Sequence, residues 1–262
     1  MIFLNGAEVV IEHFPDGTLL MKQSVERCQQ PSEILWRFEN NEEMIALMYL
    51  VRHLQCHGIK DIWLIMPYIP NARQDRVKTD EDVFTLKYFA EFINSLGFSR
   101  VIVTDPHSSV SEALINNISV QFPDLDIDYA IEWSNANFLF FPDEGAMKRY
   151  AGAFTLPYAF GIKNRNWKTG SILSLEVAGS VDAIKGATIL IVDDICSRGS
   201  TFFHSAKKLK ELGAGKIYLY VTHCENTILQ VELLESDLIE RVFTTRSIFT
   251  ANHDKIEVTP GL

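Results

Sequence analysis

One stretch of the chain, residues 189–201, constrains the fold more than any other. Its apolar beginning predicts a buried parallel strand, and the apolar spacing from Thr201 to Gly213 predicts a helix that stops at a glycine. Between the two, Asp193 and Asp194 can accept hydrogen bonds from sugar hydroxyls, and N–H groups at the helix start can hold a phosphate. The stretch therefore predicts a binding site for a phosphorylated sugar. The alternative is an ordinary strand–helix turn with a capping residue.

The rest of the chain alternates short apolar runs with segments of helical period, which is typical of mostly parallel sheets covered by helices. A helix capped by Asn40 or Asn41 is expected to run to Gly58, and another, capped by Asp80, to Gly97. The strand-like runs are residues 62–66, 101–104, 138–141, 188–192 and 217–221.

Polar residues cluster in the loops that follow these runs. Since ligands of open α/β sheets bind outside the carboxyl ends of the strands, the loops predict one or two binding clefts. The polar, acidic region 122–134 is the best candidate for a link between two halves of similar organisation. We predict an α/β fold with two similar domains, residues 1–133 and 134–262, each a mostly parallel sheet flanked by helices.

Composition excludes several classes of function. The chain has 262 residues, 47% of them hydrophobic, and a formal net charge of −10, so its overall field repels nucleic acid. No apolar run reaches the roughly 18 residues of a membrane span, and four scattered cysteines argue against a zinc ribbon or a disulfide framework. We expect a soluble, cytoplasmic protein with no nucleic-acid or membrane partner, whose phosphate ligands are held by local cations. The clusters are Arg73 and Arg76; Lys148 and Arg149; Lys163, Arg165 and Lys168.

The segment 192–201 resembles the phosphoribosyl pyrophosphate (PRPP) motif shared by phosphoribosyltransferases and ribose-phosphate pyrophosphokinases. The resemblance implies two phosphoribosyltransferase-like domains, with Asp193 and Asp194 on the ribose. Ser197 and Arg198 stand where the kinase pattern usually has an acid and a threonine. The turn implied to bind the 5-phosphate is Ser197, Arg198, Gly199, Ser200 and Thr201.

A second segment, 67–76, is similar to the PYxxYARQDR signature of ribose-phosphate pyrophosphokinases, which phosphoribosyltransferases lack. It implies that Arg73, Gln74 and Asp75 contact ATP, and the Arg fork suits phosphate oxygens. Segment 104–108 resembles the family's VDLHA segment, which implies a magnesium–ATP contact at His107. A polar surface loop is the alternative for the first segment, and a turn residue is the alternative for His107.

A third segment, 141–149, resembles the family's SPDxGGxxRA loop. The resemblance implies that Asp143 holds a metal ion and that Asp143, Glu144, Gly145 and Ala146 cradle the pyrophosphate, with Ala146 in place of a second glycine. Asp143 is also predicted to cap a helix through Tyr150, and the two roles are compatible.

Two further segments resemble family motifs, one for catalysis and one for adenine binding. Lys163 and Arg165 resemble the Lys-x-Arg of the family's catalytic loop, and transfer of a phosphoryl-type group depends on such cations. Residues 13–18 resemble the FSDGE hairpin, which implies that Phe14 stacks on adenine and Asp16 accepts from its amine, often in a neighbouring subunit. A type I turn between two strands is the alternative.

Together these motifs predict a ribose-phosphate pyrophosphokinase that uses Mg²⁺, ATP and ribose 5-phosphate to make PRPP and AMP for nucleotide or NAD biosynthesis, as a homodimer or higher homo-oligomer. The alternatives are a phosphoribosyltransferase that consumes PRPP and a catalytically silent regulatory homologue. His53, Cys56 and His57 share one helix face as metal ligands could, but the apolar pattern before them favours a packed helix end.

Overall fold

Two mostly parallel sheets, one in each of two units, organise the chain. The predicted α/β architecture, with both sheets flanked by helices, is confirmed. Within the described ranges, no helix combines the length and apolarity that crossing a membrane requires. The computed structural model describes residues 1–25, 28, 30–165 and 172–261, apart from the side chains of 163–165 and 172–175, and its units are Met1–Phe122 and Pro123–Leu262.

The first unit is built on a six-stranded sheet and a separate hairpin. Its strands are Ile2–Leu4 (β1), Ala7–Glu8 (β2), Ile11–His13 (β3), Leu19–Met21 (β4), Ser32–Trp36 (β5), Ile62–Met66 (β6), Arg100–Thr104 (β7) and Ile118–Gln121 (β8). The sheet order is β2-β1-β5-β6-β7-β8, in which β5 to β8 run parallel and β1 pairs antiparallel with β2 and β5. Strands β3 and β4 form the hairpin.

Helices cover this sheet with their apolar faces. They are α1 (Glu42–Cys56), α2 (Thr85–Leu96) and α3 (Val110–Leu114). Helix α2 buries Leu86, Phe89, Ile93 and Leu96, whose spacing of three and four residues places them on one face. These side chains and the buried side chains of α1 join one core with the strands.

The second unit is built on a seven-stranded sheet. Its strands are Phe138–Phe141 (β9), Tyr158–Arg165 (β10), Ile172–Gly179 (β11), Ile189–Cys196 (β12), Ile217–Cys224 (β13), Val242–Thr244 (β14) and Ile256–Val258 (β15). The order is β11-β10-β9-β12-β13-β14-β15, and every pair is parallel except β10 with β11.

Alternate side chains of the central strands enter two cores on opposite faces of this sheet. Ile189 and Ile191 pack on one face, and Leu190 and Val192 on the other. The helices of this unit are α4 (Asp124–Ser134), α5 (Glu144–Tyr150), α6 (Ser200–Glu211) and α7 (Glu232–Glu235). Helix α6 packs on the first face, and α4 and α5 on the second.

One local prediction about helix caps is confirmed in the structure, and one is wrong. Asn40, one of two predicted caps of α1, accepts hydrogen bonds from the first N–H groups of that helix. The prediction that Asp80 caps the next helix is wrong, because α2 begins at Thr85. Asp82 instead accepts from the backbone of Lys78 and Thr79, so the acidic residues here belong to a turn before the helix.

Candidate active site

The two predicted sugar-binding carboxylates, Asp193 and Asp194, stand side by side near the end of β12. The pairing of β12 with β13 continues to Cys196 opposite Cys224, so the strand is longer than predicted and includes both acids. The Asp194 N–H donates to Asp193 Oδ1 over 3.0 Å, and the Ile195 N–H donates to Asp194 Oδ1 over 2.8 Å. These bonds fix the carboxylates at the carboxyl edge of the sheet.

Burial and neighbouring carboxylates both act on the acid pair. The pKa of Asp193 is raised well above its usual value, mainly by burial and then by the negative charges of Asp194 and Asp143. Asp143 follows β9, the strand next to β12, so its loop is brought to the same edge. The site is therefore suited to a hydrogen-bonding sugar and a cation rather than to a bare anion.

Arg149, for which no specific role was predicted, compensates part of this charge. Arg149, in the last turn of α5, places Nη1 2.9 Å from Asp194 Oδ2. Its guanidinium also lies over the ring of Tyr150, with 5.7 Å between the guanidinium carbon and the ring centroid. Asp194 is buried, so the ion pair places a positive charge beside its carboxylate and offsets part of the cost of burying it.

The predicted phosphate-binding turn connects β12 to α6. Gly199 immediately precedes α6 with a left-handed φ of 66°, and a Cβ added there would lie 2.7 Å from Leu233 Cδ2. The turn therefore favours glycine for its left-handed conformation, and an added Cβ would also require the end of the Leu233 side chain to shift. Thr201 lies in the first turn of α6, next to backbone N–H groups that have no partner within a helix.

Ser197 and Arg198, the two residues of this turn that differ from the family pattern, lie in different surroundings. The Ser197 hydroxyl donates to Glu225 Oε2 over 2.6 Å. Arg198 is exposed and lines a pocket of about 460 Å³ together with Ser200, Phe203 and His204. Their contribution to sugar-phosphate binding stays a prediction.

Replacing Gly199 with alanine is expected to lower the free energy of unfolding of this unit by about 2 kcal/mol. A left-handed residue with a side chain costs roughly 1–2 kcal/mol, and Leu233 must also shift. Urea denaturation measures the loss. Gly152→Ala is the matched control, because a Cβ there has nothing within 4 Å, and a similar loss in both variants would contradict this reasoning.

The predicted pyrophosphate loop joins β9 to α5. Asp143 accepts a hydrogen bond from the Ala146 N–H over 3.1 Å, which confirms its predicted role as the cap of α5. A Cβ on Gly145 would lie 3.2 Å from Asp143 Oδ1, so glycine leaves room beside that carboxylate. Glu144 pairs with Lys148 at 2.8 Å on the outer face of the helix. The metal and pyrophosphate roles of this loop stay predictions.

The predicted catalytic cations lie at the end of an antiparallel ribbon. Lys163 and Arg165 belong to β10 and pair with Leu175 and Ile172 of β11. Their side chains lie outside the described part of the chain, so their catalytic role stays a prediction.

In the first unit, a buried carboxylate joins two of the predicted ATP-binding loops. Asp75, after β6, accepts two hydrogen bonds from Arg76, from Nε and Nη2, each of 2.8 Å. The pKa of Asp75 is lowered to about 2, chiefly by the hydrogen bond from Arg76, with a further hydrogen bond from Ser108. Because Ser108 follows His107 in the loop after β7, Asp75 holds the two loops together.

The other predicted ATP-binding residues of these loops are accessible to solvent. Arg73 and Gln74 are exposed, and His107 is half-buried. Gln74 Oε1 accepts from the hydroxyl of Thr85 over 2.8 Å, which ties the first loop to the start of α2. Contacts of Arg73, Gln74, Asp75 and His107 with ATP stay predictions.

The predicted adenine-binding hairpin is present as β3 and β4. Asp16 Oδ1 accepts from the Thr18 N–H and hydroxyl, and this hydroxyl bond is the main reason that the pKa of Asp16 is lowered. Phe14 is 48% exposed and lines a groove of about 340 Å³ with Met21, Tyr49 and other residues. Asp16 thus stabilises the turn between the two strands, which is the structural role that we gave as the alternative to adenine binding. The exposed ring of Phe14 is available to stack on another ring.

In the His53, Cys56 and His57 triplet, His53 is half-buried and the other two residues are exposed. His53 Nε2 bonds the Gln23 carbonyl and His57 Nδ1 bonds the His53 carbonyl, each over 2.9 Å. Across the residues that the structure describes, no three histidine, cysteine or acidic side chains form a group that could by itself hold a metal ion.

The chain matches two family models. Residues 8–97 match the N-terminal domain of ribose phosphate pyrophosphokinase, and residues 173–258 match the phosphoribosyl synthetase-associated domain. The first range includes the hairpin and Arg73–Asp75, and the second includes Asp193–Thr201.

Curated proteins named ribose-phosphate pyrophosphokinase align with nearly the whole chain. The ribose-phosphate pyrophosphokinase of Thermococcus kodakarensis is 28% identical, across 97% of this chain and 90% of the relative. That of Mycoplasma genitalium is 28% identical, across 94% of this chain and 76% of the relative. Among solved structures, phosphoribosylpyrophosphate synthetase from Mycobacterium smegmatis has a TM-score of 0.78 at 21% identity, across 96% and 85% of the two chains, which shows the fold.

Proposed function

Because the chain belongs to the ribose-phosphate pyrophosphokinase family, we propose that it transfers the β,γ-pyrophosphoryl group of ATP to the C1 hydroxyl of ribose 5-phosphate. The products are PRPP and AMP. The observation that carries the proposal is the acid pair at the end of β12 followed by the glycine turn into α6. A sugar and its phosphate need these two kinds of group side by side.

The second unit is proposed to bind ribose 5-phosphate. Asp193 and Asp194 accept hydrogen bonds from the ribose hydroxyls, and the turn from Ser197 to Thr201 holds the 5-phosphate with its N–H groups. The ion pair of Arg149 with Asp194 and the left-handed Gly199 support this assignment, because both fix the groups before the substrate arrives.

Transfer proceeds by attack of the C1 oxygen on the β-phosphorus of ATP. The new bond joins that oxygen to the β-phosphorus, the bond from the β-phosphorus to the α,β-bridging oxygen breaks, AMP leaves, and the C1 hydroxyl releases its proton. Lys163 and Arg165 are proposed to stabilise the charge on the transferring group. The loop of Asp143, Glu144, Gly145 and Ala146 is proposed to hold the pyrophosphate.

The first unit is proposed to bind ATP. Arg73, Gln74 and Asp75 act from the loop after β6, and His107 acts from the loop after β7. The bond from Ser108 to Asp75 supports this assignment, since it links the two loops. Phe14 is proposed to stack on the adenine of a neighbouring subunit, with Asp16 shaping the turn that presents it.

Magnesium is the proposed cofactor, and the acidic residues fit it. Asp193, Asp194 and Asp143 bring three carboxylates to one edge of the sheet, and magnesium binds through one or two carboxylates plus substrate phosphates and waters. Asp143 would hold the ion in the second unit, and His107 would face a metal–ATP complex in the first. When bound, magnesium supplies positive charge to the phosphate oxygens.

We further propose a homodimer or a higher homo-oligomer, because an exposed Phe14 at a hairpin tip suits a neighbour's adenine site. A cytoplasmic location is proposed as well. It is supported by the four cysteines, all of which are free thiols.

Phosphorus NMR of the purified protein with ATP, magnesium and ribose 5-phosphate tests the function. AMP and PRPP are expected in equal amounts. ADP instead of AMP, or unchanged ATP, would overturn the proposal. The variants Arg73→Ala and His107→Ala distinguish the proposed function from that of a phosphoribosyltransferase. A phosphoribosyltransferase has no ATP site and would keep its activity in both variants.

A further inference from the structure

A carboxylate outside the predicted motifs contacts the phosphate-binding turn. Glu225 directly follows β13, and its Oε2 accepts from the Ser197 hydroxyl over 2.6 Å and from the Thr227 hydroxyl over 3.2 Å. Its backbone N–H donates to the Cys196 carbonyl over 2.8 Å. Glu225 therefore contacts Ser197, which opens the turn, through its side chain, and Cys196, the residue before it, through its backbone.

The segment after Glu225 is fixed in turn. The Ile228 N–H donates to the Glu225 carbonyl over 3.1 Å, and Asn226 exchanges two hydrogen bonds with Thr250, of 2.7 and 3.2 Å. Further along, Leu233 fills the space beside Gly199. The turn thus rests on a polar contact at its start and an apolar contact at its centre.

The charge on Glu225 indicates that it acts through Ser197. A carboxylate in contact with a bound phosphate would repel it, whereas a hydroxyl held by a carboxylate is fixed in one orientation by a strong, charge-assisted hydrogen bond. A turn that is ordered before the phosphate arrives binds with a smaller loss of conformational entropy.

We propose that Glu225 is a positioning residue for the phosphate-binding turn: by holding the Ser197 hydroxyl, it sets the conformation in which the turn accepts the 5-phosphate of the sugar. The proposal rests on the proposed function for its substrate. It concerns affinity for ribose 5-phosphate and leaves the ATP site of the first unit unchanged.

Steady-state kinetics of Glu225→Ala and Glu225→Gln tests the role. The alanine variant is expected to raise KM for ribose 5-phosphate by about tenfold or more, since a hydrogen bond to a charged group is lost. KM for ATP is expected to stay within about twofold. Glutamine keeps an acceptor oxygen and is expected to restore most of the affinity.

Two comparisons separate positioning from a general structural effect. Glu240→Ala removes an exposed carboxylate near the amino end of β13 and is the matched control. Ser197→Ala is expected to raise KM for ribose 5-phosphate as Glu225→Ala does, with little further change in the double variant, because both remove the same hydrogen bond. Unchanged KM for ribose 5-phosphate in Glu225→Ala, or equal rises for both substrates, would overturn the proposal.

Calorimetric titration with ribose 5-phosphate distinguishes this inference from the function itself. A wild-type protein that makes no PRPP but binds ribose 5-phosphate, with weaker binding in Glu225→Ala, defeats the proposed function and retains the role of Glu225. A wild-type protein that does not bind ribose 5-phosphate overturns both.

Discussion

Replacement of Lys163 with alanine is expected to lower kcat for PRPP formation by about 100- to 1,000-fold, and Arg165→Ala by a similar factor. Cations aimed at the transferring group act mainly in the transition state, where removal of one such group costs about this much. KM for ribose 5-phosphate is expected to change by less than about threefold, because the proposed sugar-phosphate contacts lie on β12 and the following turn. Initial-rate measurements of AMP release give both constants.

The control for this pair is Lys216→Ala, which removes an exposed lysine at the other end of the second unit's sheet, just before β13. It is expected to leave kcat unchanged. The double variant of Lys163 and Arg165 is expected to lose less than the product of the single losses, since the two cations act on one group. A rise in KM with normal kcat would instead assign these residues to substrate binding.

Asp193→Asn is expected to make the protein more stable and much less active. In the folded protein, burial and the charges of Asp194 and Asp143 raise the pKa of Asp193 well above its ordinary value of 3.8 in the unfolded chain. Between those two pKa values, the folded state keeps a proton that the unfolded state has released, so stability falls as the pH rises through this range. Above the folded-state pKa the penalty is complete. Asparagine has the same shape without the charge and removes that penalty.

Calorimetric melting temperatures of wild type and Asp193→Asn, from pH 4 upward, measure the effect. The advantage of the variant is expected to grow with pH and then to level off. Its KM for ribose 5-phosphate is expected to rise by about 10- to 100-fold, because the ribose hydroxyls lose a charged acceptor. A variant that melts below the wild type at neutral pH would contradict the electrostatic argument.

The neighbouring variant, Asp194→Asn, provides a control of opposite sign. It removes the ion pair with Arg149 and is expected to destabilise the protein by about 3 kcal/mol. Opposite changes in melting temperature at two adjacent carboxylates would be hard to attribute to a general effect of lost charge.

Most of the sheet could be predicted from the sequence because apolar runs and their spacing are local signals. Strands β6 and β9 and the caps of α1 and α5 follow from residues that are neighbours in the chain. The extent of β12 could not be predicted in this way. Its polar end is held in the strand by pairing with β13, and no local pattern records that pairing.

Within the candidate site, the sequence identified motifs but missed the contacts that support them. Ser108 donates to Asp75, Arg149 pairs with Asp194, and Glu225 accepts from Ser197. Each contact joins residues that are far apart in the chain, so it depends on the folded arrangement of two loops. A weak signal was available for Glu225, which directly follows a strand at the carboxyl edge where ligands of such sheets bind.

The antiparallel ribbon of β10 and β11 has a consequence for how the proposed catalytic cations are presented. Three residues of β10, Tyr158–Phe160, pair with β9, and among the described residues β11 is the only strand partner of the rest. A two-stranded ribbon without support from a wider sheet is marginally stable, so its far end opens at a lower free energy than the unit as a whole. Amide hydrogens there are expected to exchange with solvent long before those of β12. The groups proposed to stabilise the transferring charge can therefore rearrange in each turnover, while the acid pair proposed to hold the sugar keeps its place.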